Sequence, residues 1–202
     1  MKILIGICTG GTIHAQTVVS LIGALDRLKE EQIDFTVSIQ IGGYKQASMN
    51  RLVEQAKKGG FDYYMSIDCD MIFPKDGIIR LLDNHKDIVG ANYSVRGTAV
   101  NGNPREAVVK VVDENGKKLN LPLSSLPKSL FKCFSLGNGF TLYKMSVFDK
   151  IPEPWFEARE DENGDFSTED VHFMAKAYEV GIGVWCNPQI KIGHIGTFNY
   201  EV

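Results

Sequence analysis

Apolar residues along this chain follow two patterns, short runs typical of buried strands and longer segments with helical spacing. Four runs rich in aliphatic and aromatic residues favour strands, at residues 3–8, 35–41, 61–67 and 87–91. Three longer segments place apolar side chains three and four residues apart, as amphipathic helices do, at residues 13–31, 46–58 and 75–84. Strands that alternate with helices predict a mostly parallel sheet covered by helices.

The second half of the chain departs from this alternation. Residues 108–112 and 118–121 flank an Asn-Gly pair at Asn115 and Gly116, which predicts an antiparallel hairpin outside the parallel sheet. The remaining predicted elements are a strand at residues 134–144, helices at 145–150 and from 168 to about 180, and strands at 183–186 and 189–192. The predicted fold class is therefore α/β, with a Rossmann-like mixed, mostly parallel sheet flanked by helices and a small antiparallel hairpin insertion.

Composition narrows the picture further. With 202 residues, of which 44% are hydrophobic, the chain is long enough for one well-packed domain, predicted to span residues 1–202. A net charge of -3 and scattered Lys and Arg residues argue against a nucleic-acid partner. The four cysteines form no C-x-x-C pair, which is typical of reduced thiols in a cytoplasmic protein. No window approaches eighteen apolar residues, so no membrane span is predicted.

Two aspartates follow the third predicted strand, where Asp68-Cys69-Asp70 ends an apolar run and Pro74 prevents its continuation. If strand geometry persists, residues two apart point to the same side, so these carboxylates converge on one point and require a cation. In a structural alternative, Asp70 begins an Asx-type turn and Asp68 is solvated.

A second acidic motif, Thr168-Glu169-Asp170, opens the predicted helix near the chain end. Capping and the helix dipole explain acids at this place on their own. Farther along, His194 lies between small residues after the last predicted strand, and a lone histidine is usually structural.

Together these motifs resemble the nucleotide-sugar-dependent glycosyltransferases of the GT-A fold, especially the large family 2 group, over nearly the whole chain. The resemblance rests on Asp68-Cys69-Asp70, Thr168-Glu169-Asp170 and His194 in that order. It implies that Asp68, Asp70 and His194 bind a divalent ion that bridges the donor diphosphate, while Asp68 also borders the donor. Two carboxylates and an imidazole suit Mn²⁺ better than Mg²⁺, which prefers oxygen ligands.

The resemblance also assigns the acidic helix. Asp170 is the candidate base that removes the proton of the acceptor hydroxyl, a contribution of roughly a hundred- to ten-thousand-fold. Glu169 binds the acceptor or exchanges roles with Asp170. Further donor-binding candidates that the resemblance implies are Thr9, Gly10, Asn50, Arg51 and Gly139.

The residues that bind the nucleotide base and the acceptor are not assigned by these motifs. Family members often hold the nucleotide base with an acidic residue after the second strand, where this chain has only Gln40, Tyr44 and Lys45. Arg96 and Arg105 lie in a polar loop from which they could meet a phosphate or an acceptor.

The implied activity is transfer of a sugar, of hexosyltransferase type, from a nucleoside diphosphate sugar to a hydroxyl-bearing acceptor such as a glycan. A nucleotidyltransferase is one alternative, although residues 9–14 lack the Lys or Arg that a triphosphate-binding first loop usually carries. A noncatalytic nucleotide- or sugar-binding module is the other.

Overall fold

The computed structural model describes residues 1–95, 106–114, 116–160 and 166–196. The strands are β1 Lys2–Thr9, β2 Asp34–Ile41, β3 Tyr63–Asp68, β4 Met71–Ile72, β5 Ile88–Gly90, β6 Glu106–Val112, β7 Lys118–Pro122, β8 Phe131–Cys133, β9 Phe140–Lys144, β10 Arg159–Glu160, β11 Phe166–Ser167, β12 Val184–Cys186 and β13 Gly193–His194. The helices are α1 Ala15–Glu30, α2 Lys45–Lys58, α3 Gly77–Leu82, α4 Val147–Lys150 and α5 Glu169–Glu179.

Seven strands form the central sheet in the order β2-β1-β3-β9-β5-β12-β8. Strands β2, β1, β3, β5 and β12 run in one direction, whereas β9 and β8 run against them. The predicted mixed, mostly parallel α/β class is therefore confirmed. Because β9 is inserted between β3 and β5, the carboxyl ends of β1, β3 and β5 meet the start of β9 at one edge.

Helices cover both faces of this sheet, because successive residues of β1 point to opposite sides. Leu4 packs in a buried cluster with α2, α4 and α5 residues, whereas Ile3 and Ile5 pack in a second cluster with α1 and α3 residues. Burial on both faces explains why the strands read as continuous apolar runs in the sequence.

The predicted hairpin is confirmed as a separate two-stranded sheet of β6 and β7, although Asn115 itself lies outside the described residues. Two predicted strands differ from the structure. The strand expected from residue 134 begins only at Phe140, since residues 134 and 135 bond to Lys110 of β6 instead. The strand expected at 189–192 is replaced by β13, which pairs antiparallel with β4.

Close packing of a tyrosine against two glycines explains why β9 begins late. A Cβ at Gly137 would lie 2.2 Å from Tyr93 Oη, and a Cβ at Gly139 would lie 2.7 Å from the same atom. The segment therefore lets the tyrosine ring approach its backbone rather than extending the strand.

None of the helices in the described part of the chain combines the length and the apolar character that crossing a bilayer requires.

Candidate functional site

A cavity of about 470 Å³ opens at the sheet edge where β1 and β3 end. Its lining residues are Cys8, Lys45, Asp68, Cys69, Asp70, Tyr93, Val95, Val108 and His194. The three side chains that the family resemblance names as metal ligands thus share one cavity. Polar groups that converge at the carboxyl ends of strands are where α/β proteins commonly bind ligands.

Asp68 ends β3, where its backbone N–H donates to the carbonyl of Gly139 over 3.1 Å. Its two carboxylate oxygens lie 2.9 Å and 3.1 Å from the ammonium nitrogen of Lys45, the first residue of α2. The same nitrogen lies 3.4 Å from Oε1 of Glu169 on α5. One lysine therefore joins the two acidic motifs that are far apart in the sequence.

The protonation states in this group follow from burial and charge. Burial alone would lower the pKa of Lys45, but the nearby carboxylates of Asp68 and Glu169 outweigh it and raise that pKa well above its usual value. Burial raises the pKa of Glu169, and the Lys45 ammonium partly opposes this rise. We expect Lys45 to be protonated throughout the physiological pH range.

His194 faces Asp70 on the other side of the cavity. The antiparallel pairing of β13 with β4 brings it there, and Nε2 of His194 lies 3.7 Å from Oδ2 of the buried Asp70. Nδ1 of His194 lies 2.9 Å from the carbonyl oxygen of Ser94. Because a carbonyl only accepts hydrogen bonds, Nδ1 carries a proton, and in the neutral ring Nε2 presents its lone pair toward the carboxylate.

The spacing of this pair would allow a divalent cation between the two side chains. A nitrogen lone pair and a carboxylate oxygen repel each other unless a proton or a cation lies between them. Two ligands about 2.1 Å from one ion can be up to about 4.2 Å apart, so the observed 3.7 Å permits a shared ion. The backbone carbonyl on Nδ1 is also the kind of partner that orients metal-binding histidines.

The third predicted ligand is not arranged with this pair. Within the described ranges, no group of three or more His, Cys, Asp or Glu side chains is positioned to hold a metal ion. Asp68 lines the same cavity but is engaged by Lys45. The structure thus pairs Asp70 with His194, and it couples Asp68 to an ammonium group.

The two acids of α5 have different partners. Thr168 occupies the N-cap position without making a capping bond, and its hydroxyl donates to Oδ1 of Asp170. The same oxygen accepts a 2.8 Å hydrogen bond from the backbone of Val171. Glu169 instead reaches Lys45 at the cavity. The catalytic roles of Glu169 and Asp170 remain predictions.

Five of the donor-binding candidates, all except Asp68, lie outside the cavity lining. The Thr9 hydroxyl bonds within the first loop, to the carbonyl of Thr12 and the N–H of Gly11, next to an exposed Gly10. Arg51 is exposed on α2.

Asn50, the fourth of these candidates, has its side-chain amide engaged by backbone groups. Its Oδ1 accepts from the N–H of Phe156 over 3.0 Å, and its Nδ2 donates to the carbonyls of Phe156 and Gln46 over 2.8 Å and 3.0 Å. Asn50 therefore fixes α2 to the segment before β10, which is a structural role.

Gly139, the fifth, supports the site rather than lining it. Its carbonyl accepts from Asp68, and its N–H donates to Tyr93 Oη over 2.9 Å. Arg96 and Arg105 lie outside the described residues.

Lys45 is the site residue whose role the sequence did not reveal, since it was noted only as a residue present where family members often have a base-binding acid. One signal was present. A lysine in the first turn of a helix opposes the helix dipole, so its charge requires another partner.

No family model and no curated protein matches this chain. Among solved structures, the chain is similar to the crystal structure of A197 from STIV, with a TM-score of 0.60 and 16% identity over 98% of this chain and 87% of that one. A putative glucose-1-phosphate thymidylyltransferase from Bacillus anthracis, in complex with a sucrose, aligns with a TM-score of 0.42 and 15% identity over 91% and 89% of the two chains. The first likeness shows a shared fold.

Proposed function

We propose that this protein is a metal-dependent glycosyltransferase that moves a sugar from a nucleotide-sugar to a hydroxyl-bearing acceptor. The observation that carries the proposal is His194 Nε2, which faces Asp70 across 3.7 Å in a cavity that Asp68 also lines. An imidazole nitrogen and a carboxylate oxygen are also ligand types that a divalent transition-metal ion takes.

In this proposal Asp70, His194 and Asp68 would hold Mn²⁺ or Mg²⁺. The ion would supply positive charge opposite the leaving nucleoside diphosphate. The carbonyl of Ser94 keeps the imidazole in the tautomer that presents Nε2 to the cavity.

Asp170 acts as the base that takes the proton of the acceptor hydroxyl. The N–H of Val171 and the hydroxyl of Thr168 donate to its Oδ1 and orient the carboxylate. Glu169 is engaged by Lys45 and serves the acceptor side or exchanges roles with Asp170.

A nucleotidyltransferase is the second candidate, because Lys45 brings to the cavity the cation that the first loop lacks. It would use a nucleoside triphosphate and a sugar phosphate and would release pyrophosphate. A noncatalytic binding module would release neither product.

Product release separates these three functions. In one assay, the wild-type protein is incubated with Mn²⁺, a panel of nucleotide-sugars and hydroxyl acceptors, and released nucleoside diphosphate is measured. In a second assay, nucleoside triphosphates and sugar phosphates replace the donors, and released pyrophosphate is measured. We expect nucleoside diphosphate from one donor. Asp170→Asn should lower turnover roughly a hundredfold or more while donor affinity stays within about twofold. Asp26→Asn, on the exposed face of α1, is the matched carboxylate control.

Binding tests the metal site without turnover. Nucleoside diphosphate at a hundred times its dissociation constant should stabilise the protein by about 2.7 kcal/mol, and only when Mn²⁺ is present. His194→Gln and Asp70→Asn should abolish this Mn²⁺-dependent thermal shift. If no nucleotide gives a Mn²⁺-dependent shift and no donor is consumed, the proposed function is wrong.

A further inference from the structure

We propose that two copies of this chain associate through β2, whose free edge pairs antiparallel with the same edge of the second copy. The pairing joins the two central sheets into one. None of the β2 residues lines the cavity described above, so the inference is independent of the proposed function.

Strand β2 lies at one edge of the central sheet. It pairs with β1 along one side, and all eight of its residues, from Asp34 to Ile41, take part. No strand in the described ranges pairs with its other side. Backbone N–H and C=O groups of alternate residues point to that side, where they can pair with another strand.

The sequence of β2 lacks the features that usually prevent pairing at an edge. Edge strands are commonly very short, interrupted by a bulge, or protected by lysine or proline. Residues 35–41 contain no charged residue and no proline, and the register with β1 has no bulge. The opposite edge strand, β8, has only three residues and includes Lys132. Of the two edges, β2 is therefore the one suited to pairing.

Exposed isoleucines lie beside this free edge. Phe35 and Val37 are partly buried against the cluster that contains α1 residues, so alternation along the strand places Ile39 and Ile41 on the same face. Ile39 is 45% exposed and Ile41 is 73% exposed. Helix α1 therefore covers the last residues of β2 only in part.

Helix α1 adds two more exposed apolar side chains to this surface. On one flank, Ser20 and Gly23 face the segment between β4 and α3, which follows β3 and lies on the other side of β1 from β2. Because a helix turns once in 3.6 residues, Val18 and Ile22 lie on the other flank, toward β2. They are 40% and 55% exposed. The edge patch consists of Val18, Ile22, Ile39 and Ile41.

A second copy of the chain satisfies both the backbone edge and the edge patch. A two-fold axis perpendicular to the sheet makes the two β2 strands antiparallel and keeps both α1 helices on one face. With Ser38 opposite its own copy, Ile41 lies opposite Phe35, and Ile39 lies opposite Val37. Aromatic and β-branched side chains that lie opposite each other stabilise an antiparallel pair.

Charge and coverage also favour a second copy over an unrelated strand. In the same register Asp34, the one charged residue of β2, lies opposite Gly42, so no like charges face each other along the pair. A lone peptide strand would pair with the backbone edge but would leave Val18 and Ile22 uncovered. The second copy brings its own α1 to that place.

The size of the surface sets the expected strength. A standard interface buries about 800 Å² per partner, a little over half of it apolar. At their exposed fractions, the four side chains of the edge patch present on the order of 250 Å² of apolar area. The partly buried Leu25, Phe35 and Val37 and the backbone edge add to this area. We therefore expect a dimer at the smaller end of stable interfaces, with a dissociation constant in the micromolar range.

Sedimentation equilibrium of the full chain measures association over about 1 to 100 µM. The wild-type protein should be largely dimeric at the upper end. Ile41→Lys and Ile39→Lys place a charge at the paired edge and should weaken association by about tenfold or more. Both side chains are exposed in the single chain, so the variants should fold, which circular dichroism checks. Val112→Lys is the matched control, because Val112 is 46% exposed in β6, and it should associate as the wild type does.

Cross-linking tests the register. Ser38→Cys places two thiols opposite each other across the two-fold axis, and copper-catalysed oxidation by air should join the chains through a disulfide. Thr36→Cys is the control, because its thiol would lie about 13 Å from its own copy and should not cross-link. The wild-type protein, with four native cysteines, measures the background. Ser38→Cys combined with Ile41→Lys should lose the cross-link.

Three results would overturn the proposal. The first is a wild-type protein that stays monomeric at about 100 µM, since the edge would then have another occupant or none. The second is association that both lysine substitutions leave unchanged, which would place the interface elsewhere. The third is cross-linking of Thr36→Cys but not of Ser38→Cys, which would refute the symmetric register. The two cavities lie at opposite ends of the joined sheet, so none of these results depends on metal or donor binding.

Discussion

Asn50 gives a sharp test, because the family resemblance places it at the nucleotide whereas the structure shows its amide bonded to the backbone of Phe156. Asn50→Ala would leave the N–H and the carbonyl of Phe156 without these partners, next to a side chain that is only 1% exposed. Each buried backbone group that loses its partner costs about 1–3 kcal/mol. Because Asn50 itself is half-buried, water replaces part of the loss, and we expect about 2–4 kcal/mol in total.

Urea unfolding followed by circular dichroism measures this loss. The midpoint should fall while the slope stays unchanged, since the folded and unfolded states keep their compactness. Arg51→Ala is the matched control, because Arg51 is the exposed next residue of the same helix and should change stability by less than about 0.5 kcal/mol.

Asn50→Asp sharpens the test. It keeps the acceptor for the N–H of Phe156 but turns an oxygen toward its carbonyl, so it should destabilise at least as much as Asn50→Ala at neutral pH. Stability within 0.5 kcal/mol of wild type, together with lost affinity for nucleoside diphosphate, would refute the structural role and restore the nucleotide-binding one.

Three further predictions concern packing and protonation. Gly139→Ala should cost about 1–3 kcal/mol in urea unfolding, because its Cβ would lie 2.7 Å from Tyr93 Oη, and wild-type stability would contradict the close packing. Burial raises the pKa of Tyr64, Tyr93 and Tyr143, so the unfolded state loses protons that the folded state keeps and stability falls as pH rises above about 10. In a pH titration followed by tyrosinate absorbance, these three tyrosines should ionise only when the protein unfolds. Ionisation at a pH where the protein is still folded would be evidence against their burial. Burial also raises the pKa of Cys8 to about 12, so mass spectrometry should find this thiol slow to alkylate at neutral pH, and rapid labelling would contradict that shift.

The sequence was sufficient for the parallel part of the sheet because those strands are buried on both faces. Continuous apolar runs such as residues 3–8 and 61–67 have few alternatives when helical segments separate them. The β6–β7 hairpin was likewise readable from local turn chemistry. In each case, the deciding interactions lie within a few residues of one another or repeat along one element.

Elements that depend on distant partners were less predictable. The pairing of β13 with β4 joins two-residue strands that lie far apart in the sequence, and neither strand has a pattern long enough to detect. The late start of β9 depends on the ring of Tyr93, which fits against Gly139 from another part of the sequence. Because such contacts are tertiary, the periodicity of apolar residues along the sequence does not predict them.

The site shows the same division. The acidic motifs were visible because strand ends and helix starts are local features, and the structure brings Asp68 and Glu169 to the same lysine. That lysine was given no role from the sequence, since its reach across the sheet edge depends on how α2 is placed. The amide of Asn50 looked available in the sequence because its partner, Phe156, lies more than a hundred residues away.

The main chain around Asp68 is held by contacts other than the one between its carboxylate and Lys45. The N–H of Asp68 is held by the carbonyl of Gly139, and the N–H of Gly139 is held by Tyr93, so three segments fix its main chain. The main chain at Asp70 is fixed separately, by its carbonyl bond to Ile195 beside β13. Only Cys69 lies between these two anchors. Lys45→Met therefore removes a side-chain contact from a main chain that stays fixed, and it should leave the slope of urea unfolding unchanged.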